Sequence, residues 1–374
     1  MKTPIVSFVI PCYKLAHLLP ECVRSILSQT FEDLEILIMD DCSPDNTAEV
    51  GSSFTDARVR VVRNESNLGA LRNYNKGIAL SRGKYIWLIS ADDYLRRSCV
   101  VRRYVDLMEA HPSVGYTFCP GIGVRAGEET NVLGYSVYGN RDRVVDGQVF
   151  LRTLLNYNKV LAPSAMARRE CYERISYFPL DVVWAETAVD MIWGGDWYLW
   201  LAFALQWDVG YFAEPMVCYR EHDGSMTNAV TQEKLSNCLA ADLAVPWLIK
   251  KRADALGLRP AARACLKAIA NEYGRQCTSK RYQWMERSNA CTISMDEFER
   301  SLCKSTDSAQ ERDWIRARVY AHMGAAFQAK GKLLDARRYY RAGLSRDPWM
   351  ARLYAKLLRL YLAGAGGEAP RVSG

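Results

Sequence analysis

Apolar runs of strand length alternate with amphipathic stretches along the first 110 residues of the chain. The runs that read as strands are IVSFVI (5–10), LEILIMD (34–40), RVRVV (58–62) and KYIWLIS (84–90). Between them, residues 18–29 and 70–81 carry apolar side chains at the spacing of a helix. Strands that are apolar throughout and alternate with helices are typical of a parallel sheet covered on both faces. The pattern therefore predicts an α/β fold.

Distinctive residues directly follow three of these strands. Pro11-Cys12-Tyr13 follows the first strand, Asp40-Asp41 ends the second, and Asp92-Asp93 follows the fourth. Ligands of such sheets bind in the crevice outside the carboxyl ends of the strands, so these residues are expected at its mouth. Asp92-Asp93 also fits a second interpretation, the start of a helix over residues 98–109, because carboxylates are favoured at helix N-caps.

The adjacent carboxylates of Asp92 and Asp93 indicate a particular chemistry. Two like charges at a crevice repel each other unless a cation lies between or beside them. Magnesium and manganese suit carboxylate ligands and usually complete their coordination with substrate phosphates. The pair therefore favours Mn²⁺ or Mg²⁺ and a diphosphate-bearing substrate. The sequence has no GxGxxG after the first strand and no GxxxxGK[ST], which excludes the dinucleotide-binding fingerprint and the P-loop.

The second half of the chain has a different pattern. Residues 115–190 are rich in turn residues and predict loops and short strands, whereas helical spacing returns at 196–206. After residue 230 the chain reads as helical, and one segment resembles the tetratricopeptide repeat. Its small, aromatic and proline positions are Gly324, Phe327, Gly331, Ala336, Tyr340, Gly343 and Pro348. Two domains are expected, 1–230 and 231–374, the second either a helical cap or a groove for a protein partner.

Charge is distributed unevenly between these two parts. Residues 231–374 hold 26 Lys and Arg against 14 Asp and Glu, whereas the first 230 residues hold 23 against 28. A basic unit can attract nucleic acid, an anionic membrane surface or an acidic polymer, or it can be a solvated helical face. We expect no nucleic acid partner, and peripheral contact with the anionic inner face of a membrane is the alternative to a solvated face.

Composition excludes several classes of protein. The chain has 374 residues, of which 49% are hydrophobic and 24% charged, as in ordinary globular proteins. No run of 18 apolar residues occurs, which argues against a membrane span, and MKTPIVSFVIPCYK has too short an apolar run for a secretory signal. The twelve cysteines form no CxxC pair, which argues against a zinc site. Reduced core cysteines and a cytoplasmic location are expected.

Five ordered blocks of the sequence resemble the family 2 glycosyltransferases. They are VSFVIPCYK (6–14), SILSQTFEDLEILIMDDCSPDNT (25–47), NLGALRNYNKGIALSRGKYIWLISADD (67–93), GGDWYLWLAFA (194–204) and YREHDGS (219–225). The resemblance implies a GT-A fold, with a mostly parallel sheet and helices on both faces, followed here by an all-α region. It also implies inverting transfer of a sugar from a nucleotide-diphospho-sugar, for which we expect UDP as the nucleotide, to a hydroxyl of a glycan or lipid-linked acceptor.

The resemblance assigns a role to individual residues. Those assigned to the nucleotide sugar are Pro11 and Tyr13, which flank the base; Asp41, which accepts a hydrogen bond from the base; Arg72, near a phosphate-facing position; and Asp92, which contacts the ribose or diphosphate. Asp93 and His222 match metal-contacting positions, and Asp196 matches the general base.

Asp196 equally suits a helix N-cap, where the helix dipole is expected to lower its pKa. Trp193, Trp197 and Trp200 suit sugar stacking or core packing.

The sequence departs from the family pattern at two positions and leaves two competing functions open. Lys14 replaces the usual Asn, and Ser90 replaces the first Asp of the DxD motif. These departures are the support for one competitor, a degenerate domain that binds a partner through its helical C-terminus, and the intact Asp41, Asp92, Asp93 and Asp196 argue against it. The second competitor is a nucleotidyltransferase on a similar fold, but IPCYKLAH lacks the Gly-rich signature of those enzymes.

Overall fold

A computed structural model describes residues 3–184, 187–222, 232–278, 300, 302 and 308–365. By its packing the chain divides into two units, which are described separately. The first comprises Met1–Asp181, Asp190–Val230 and Ala255–Ala261, and the second Val182–Val189, Thr231–Asp254 and Ala262–Gly374. The domain boundary expected after residue 230 stays a prediction.

The strands are β1 (Val6–Cys12), β2 (Leu34–Asp40), β3 (Val59–Arg63), β4 (Tyr85–Leu88), β5 (Tyr94–Leu95), β6 (Val114–Phe118), β7 (Gly121–Arg125), β8 (Glu128–Val132), β9 (Arg143–Val145), β10 (Met166–Arg168), β11 (Val182–Trp184), β12 (Thr187–Val189), β13 (Asp208–Tyr211) and β14 (Val217–Arg220). The helices are α1 (Leu19–Leu27), α2 (Thr47–Ser52), α3 (Ala70–Leu80), α4 (Val100–Ala110), α5 (Gly147–Leu154), α6 (Arg169–Ile175), α7 (Gly195–Ala204), α8 (Gln232–Ala255), α9 (Arg259–Thr278), α10 (Ala309–Ala329), α11 (Leu333–Arg346) and α12 (Ala351–Ala365).

The central sheet of the first unit confirms the predicted fold class. Its strand order, among the described residues, is β3-β2-β1-β4-β10-β6-β13-β9. The first four strands are parallel, and β10 runs antiparallel between β4 and β6. Every residue of β1 and β2 is buried, as their apolar runs predict, whereas β3 lies at the edge and is partly exposed. The expectation that every strand is covered on both faces is therefore wrong for β3.

A smaller sheet of order β5-β14-β7-β8 brings two distant segments together. Leu95 pairs with Val217 and Tyr94 with Cys218 in antiparallel register. Because Asp93 directly precedes β5 and Arg220 ends β14, this pairing places the second acidic pair beside the YREH segment.

Two helices occur where the sequence predicts only loops and short strands. Helix α5 begins after Asp146, whose carboxylate accepts a hydrogen bond from the backbone N–H of Val149 at 2.9 Å. Helix α6 is only seven residues long and follows β10 without a connecting turn. Both are short, and many turn residues surround them, so helical periodicity alone does not reveal them.

In the second unit, α10 and α11 form the predicted helix–turn–helix. A Cβ atom on Gly324 would lie 2.5 Å from the ring of Tyr340, so a glycine is needed where these helices meet. Gly331 has a φ of +73° in the turn between them, a conformation that favours glycine. The Phe327 and Tyr339 rings stack with centroids 5.2 Å apart. Among the described helices, none is long and apolar enough to cross a membrane.

Candidate active site

Asp41 directly follows β2 and is almost fully buried, with 4% of its surface exposed. Its carboxylate accepts hydrogen bonds from Asn64 Nδ2 at 2.8 Å and from the backbone N–H groups of Leu68 and Gly69 at 2.8 and 3.0 Å. A carboxylate can accept about four hydrogen bonds. Asp41 therefore anchors the loop before α3 and keeps capacity for about one donor from a ligand.

The neighbouring Asp40 has a structural role that could not be recognised from the sequence. It is completely buried and accepts hydrogen bonds from the Ser43 backbone N–H at 2.8 Å and from Arg63 Nη1 at 2.5 Å. Between them, Cys42 has a φ of +57°, so these bonds hold a sharp turn at the end of β2. A pair of aspartates does not reveal which one builds the turn and which one faces the crevice.

Pro11 and Tyr13 lie at the end of β1, as the sequence predicts. Pro11 is buried and pairs with Met39, whereas 42% of Tyr13 is exposed. Lys14, which replaces the usual Asn, has a φ of +61° and places its ammonium 5.0 Å from the Tyr13 ring centroid. Asparagine tolerates positive φ better than lysine does, so the family residue suits this backbone position for a conformational reason.

Asp92 and Asp93 follow β4, well before α4, which begins at Val100 with Cys99 as its N-cap. The helix-start interpretation is therefore wrong. Asp92 Oδ2 lies 3.1 Å from His222 Nε2, and Asp92 Oδ1 is buried without a hydrogen-bond partner. Asp93 is 3% exposed, and its pKa is raised well above the ordinary range by burial and then by the charge of Asp92.

Arg220 is a site residue that sequence reasoning missed. Its backbone N–H donates to Asp93 Oδ1 at 3.0 Å. Its guanidinium pairs with Glu21, lies 5.2 Å from the Tyr94 ring centroid and leaves Nη1 buried without a hydrogen-bond partner. A buried cation beside two carboxylates offsets part of their repulsion. The only signal in the sequence is its place in the YREHDGS block, of which residues 223–225 lie outside the described residues.

Asp196 is the second residue of α7, and Gly194 is the N-cap, so the capping interpretation of Asp196 is wrong. Its carboxylate accepts from the Trp197 backbone N–H at 2.7 Å and from Asn158 Nδ2 at 3.2 Å. Burial raises the pKa of Asp196 to about 6, against the lowering effect of these hydrogen bonds. The expected lowering by the helix terminus is therefore outweighed by burial.

Two other residues singled out in the sequence, Arg72 and Trp200, lie at the surface and in the core, respectively. Arg72 is exposed on α3 and forms an ion pair of 3.6 Å with Asp181, which is still more exposed, so the interaction is weak. Trp200 is buried and stacks on Tyr116 with ring centroids 5.3 Å apart. Trp200 therefore belongs to the core, which excludes it from sugar stacking. Trp197 is fixed by a hydrogen bond of 2.8 Å from its Nε1 to the Leu154 carbonyl.

The negative charges of the four predicted site aspartates all affect the pKa of one side chain, Tyr74. The pKa of Tyr74 is raised by burial and, after that, by the negative charges of Asp92, Asp196, Asp41 and Asp93. The charges of aspartates from three separate segments of the chain therefore reach the Tyr74 hydroxyl. Tyr74 lies in the third matching block, but its sequence position alone does not indicate this central place.

Known proteins similar to this chain agree with this architecture. Residues 7–151 match the family described as Glycosyl transferase family 2. Glycosyltransferase GlyG of Streptococcus pneumoniae is 36% identical over 112 residues, which are 29% of this chain and 37% of the relative. Hyaluronan synthase of Pasteurella multocida is 38% identical over 101 residues, which are 26% of this chain and 10% of the relative. The matches thus span well under two thirds of these relatives.

A solved structure, S. aureus TarS 1–349 in complex with UDP-GlcNAc, is similar in fold. It has a TM-score of 0.58 and 16% sequence identity, and the match covers 96% of this chain and 92% of that one. Because the identity is low, this similarity shows the fold alone. With the matching segment and the sheet described above, it identifies the architecture. Residues 7–151 match glycosyltransferase family 2, and the chain folds as a GT-A domain with an all-helical C-terminal region.

Proposed function

We propose that this chain transfers a sugar, with inversion, from a UDP-linked donor to a hydroxyl of a glycan or lipid-linked acceptor. The observation that carries the proposal is the acidic site at the end of β4, where Asp92 lies 3.1 Å from His222 and Asp93 accepts from the Arg220 backbone N–H at 3.0 Å. The charges of these two residues, of Asp41 and of Asp196 all contribute to the raised pKa of Tyr74, after burial. A degenerate domain has no reason to keep four carboxylates together against their repulsion. The choice of UDP is supported by the UDP-GlcNAc bound to the similar TarS structure.

The donor end of the site has groups suited to a nucleoside diphosphate. Tyr13 is exposed where an aromatic ring can stack on a base, and Asp41 has capacity for one more donor. Arg220 has a buried Nη1 without a hydrogen-bond partner, and guanidinium groups match phosphate oxygens well. Arg72 stays a predicted phosphate contact.

The residues at Asp92 also fit a divalent metal. Within the described parts of the chain, no three His, Cys, Asp or Glu side chains form a complete metal site by themselves. Asp92 Oδ1 is nevertheless a buried oxygen without a hydrogen-bond partner, and Asp93 and His222 are its neighbours in the site. One or two carboxylates completed by substrate phosphates are the usual magnesium arrangement. When bound, Mn²⁺ or Mg²⁺ would stabilise negative charge on the diphosphate leaving group.

Asp196 is the proposed general base. Asn158 and the Trp197 backbone hold its carboxylate in one orientation, and a pKa of about 6 makes it a stronger base than an ordinary aspartate. It accepts the proton of the acceptor hydroxyl as that oxygen attacks the anomeric carbon. No second carboxylate is required as an acid, because the departing nucleoside diphosphate is a stable anion.

The pH dependence of transfer follows from the raised pKa of Asp196. A general base acts only when deprotonated, so activity should rise as the pH increases through about 6 and level off above about 7. The measurement is kcat/KM for the acceptor from about pH 5 to 8 at saturating donor. Activity that is already near its plateau at about pH 5, as expected for an aspartate that titrates in its ordinary range near pH 4, would contradict the buried environment proposed for the base.

The experiment that tests the function is a donor panel with product analysis. The full chain and Mn²⁺ are incubated with UDP-, GDP- and dTDP-sugars, and nucleoside diphosphate release is followed with and without oligosaccharide acceptors. We expect release from UDP-sugars, faster with an acceptor, and an added sugar of inverted configuration in the product. No release from any donor would contradict the proposal.

Two expectations about partners stay predictions. A protein partner at the C-terminal helices is supported by large apolar side chains there, since Trp349 is 92% exposed and Leu334 78%. Contact with an anionic membrane is supported only by the basic charge of residues 231–374. Neither is required for the transfer reaction.

A further inference from the structure

Two exposed tyrosines in the first unit face each other close to the proposed base. Tyr135 is 37% exposed and Tyr157 52% exposed, and their rings meet edge to face with centroids 6.5 Å apart and an interplanar angle of 72°. Large aromatic side chains left at the surface in pairs frequently mark binding sites. Neither tyrosine has a place in the donor site described above.

Tyr157 is tied to the base through its neighbour in the chain. Asn158 Nδ2 donates to Asp196 Oδ2 at 3.2 Å, and Asn158 Oδ1 accepts from the Val160 backbone N–H at 3.1 Å. Both ends of the Asn158 side chain are thus fixed. Tyr157 is therefore adjacent in the chain to a fixed residue that contacts the carboxylate of the proposed base.

Tyr135 is held by a short helical turn, Gly134–Ser136. The buried Ser136 hydroxyl accepts from the Gly121 backbone N–H at 3.1 Å and donates to the Leu133 carbonyl at 2.6 Å, which pins the turn to β7. Burial raises the pKa of Tyr135, and the charges of Tyr219, Tyr157, Asp93 and Asp196 raise it further. The Tyr135 hydroxyl is therefore within electrostatic reach of both Asp93 and Asp196.

We infer that Tyr135 and Tyr157 form an acceptor subsite, which packs against the apolar face of a pyranose ring whose hydroxyl points to Asp196. A pyranose carries C–H groups on its faces and hydroxyls at its rim. Aromatic rings with a polar tip suit such a ligand, because they bury the apolar face and leave the rim to hydrogen bonds. The inference rests on the proposed function, and it identifies a sugar residue as the acceptor class.

The test uses the full chain with UDP and Mn²⁺ present and methyl glycosides of glucose, galactose, mannose and N-acetylglucosamine as probes. Glycoside affinity is measured by saturation-transfer NMR, and UDP affinity by calorimetry. Tyr135→Ala and Tyr157→Ala should each weaken glycoside binding about tenfold while UDP affinity is unchanged. Tyr135→Phe and Tyr157→Phe keep the rings and should bind within about twofold of wild type. Tyr354→Ala is the control, since Tyr354 is 53% exposed in the second unit.

The outcomes separate this inference from the proposed function. If wild-type protein binds UDP but none of the glycosides, or if both alanine variants bind glycosides like wild type, the acceptor subsite is overturned while the donor site stands. If wild-type protein does not bind UDP, the proposed function fails and the subsite fails with it. Melting curves identify a misfolded alanine variant. In that case Tyr135→Leu and Tyr157→Leu replace the alanine variants, and their glycoside affinity is compared with that of wild type and of the phenylalanine variants.

Discussion

Replacing Asp196 with asparagine should reduce sugar transfer by about a hundredfold or more, the usual cost of removing a general base. Asparagine keeps an oxygen that can accept from the Trp197 backbone N–H, so the geometry of α7 is maintained while the basic group is lost. The measurement is kcat with saturating donor and acceptor. Nucleotide affinity should be unchanged, because the substitution affects the acceptor side of the site.

The same substitution has an opposite effect on stability. Burial raises the pKa of Asp196 from 3.8 to about 6, so its ionisation in the folded state destabilises the protein progressively as the pH rises from about 4 to 6. Above pH 6 the neutral asparagine avoids this cost, although it loses the hydrogen bond from Asn158 Nδ2, which offsets part of the gain. The melting temperature should rise by about 2–4 °C. Asp190→Asn, at an exposed cap six residues earlier, is the matched control and should leave transfer unchanged. Transfer by Asp196→Asn within a few-fold of wild type would refute the role of this base.

Asp93→Asn should reduce turnover of the nucleotide sugar by about a hundredfold and raise the Mn²⁺ concentration needed for half-maximal activity. An amide oxygen still accepts from the Arg220 backbone N–H, so the β5–β14 region should stay folded. The negative charge that a divalent cation requires is lost. Turnover as a function of Mn²⁺ concentration is the measurement.

Glu35→Gln provides a matched control for this prediction. Glu35 is also a buried carboxylate, but it lies at the start of β2 and accepts hydrogen bonds from Ser7 Oγ at 2.6 Å and from Arg82. Its replacement should lower stability and leave the Mn²⁺ dependence as in wild type. Equal Mn²⁺ dependence in Asp93→Asn and wild type would remove Asp93 from the metal site.

The strand ends could be predicted from the sequence because their signals are local. A fully apolar run such as β2 has one stable place, the interior of a sheet, and the polar residues that follow it must then lie at the sheet edge. The positions of Asp41 and Asp92 follow from this argument. The family resemblance added Asp196 and His222, which periodicity alone would not have identified.

The rest of the site depends on contacts between distant segments. Arg220 reaches Asp93 across 127 residues of chain, and Asn158 reaches Asp196 across 38. No local sequence pattern predicts such pairs. The first pair forms only when β5 pairs with β14 in the small sheet, and the second only when the loop after α5 packs against α7. Tyr135 and Tyr157 could not be identified for the same reason, because they lie in a segment whose many turn residues predict only loops and short strands.

The central claim is that the carboxylates at the sheet edge form a working donor site and not the remnant of one. Calorimetric titration of the full chain with UDP, GDP and dTDP, each with and without Mn²⁺, tests it most directly. We expect UDP to bind, Mn²⁺ to be required for tight binding, and the other two nucleotides to bind much more weakly. The absence of binding by all three nucleotides, with and without Mn²⁺, would contradict it and favour a partner-binding protein with a degenerate transferase domain.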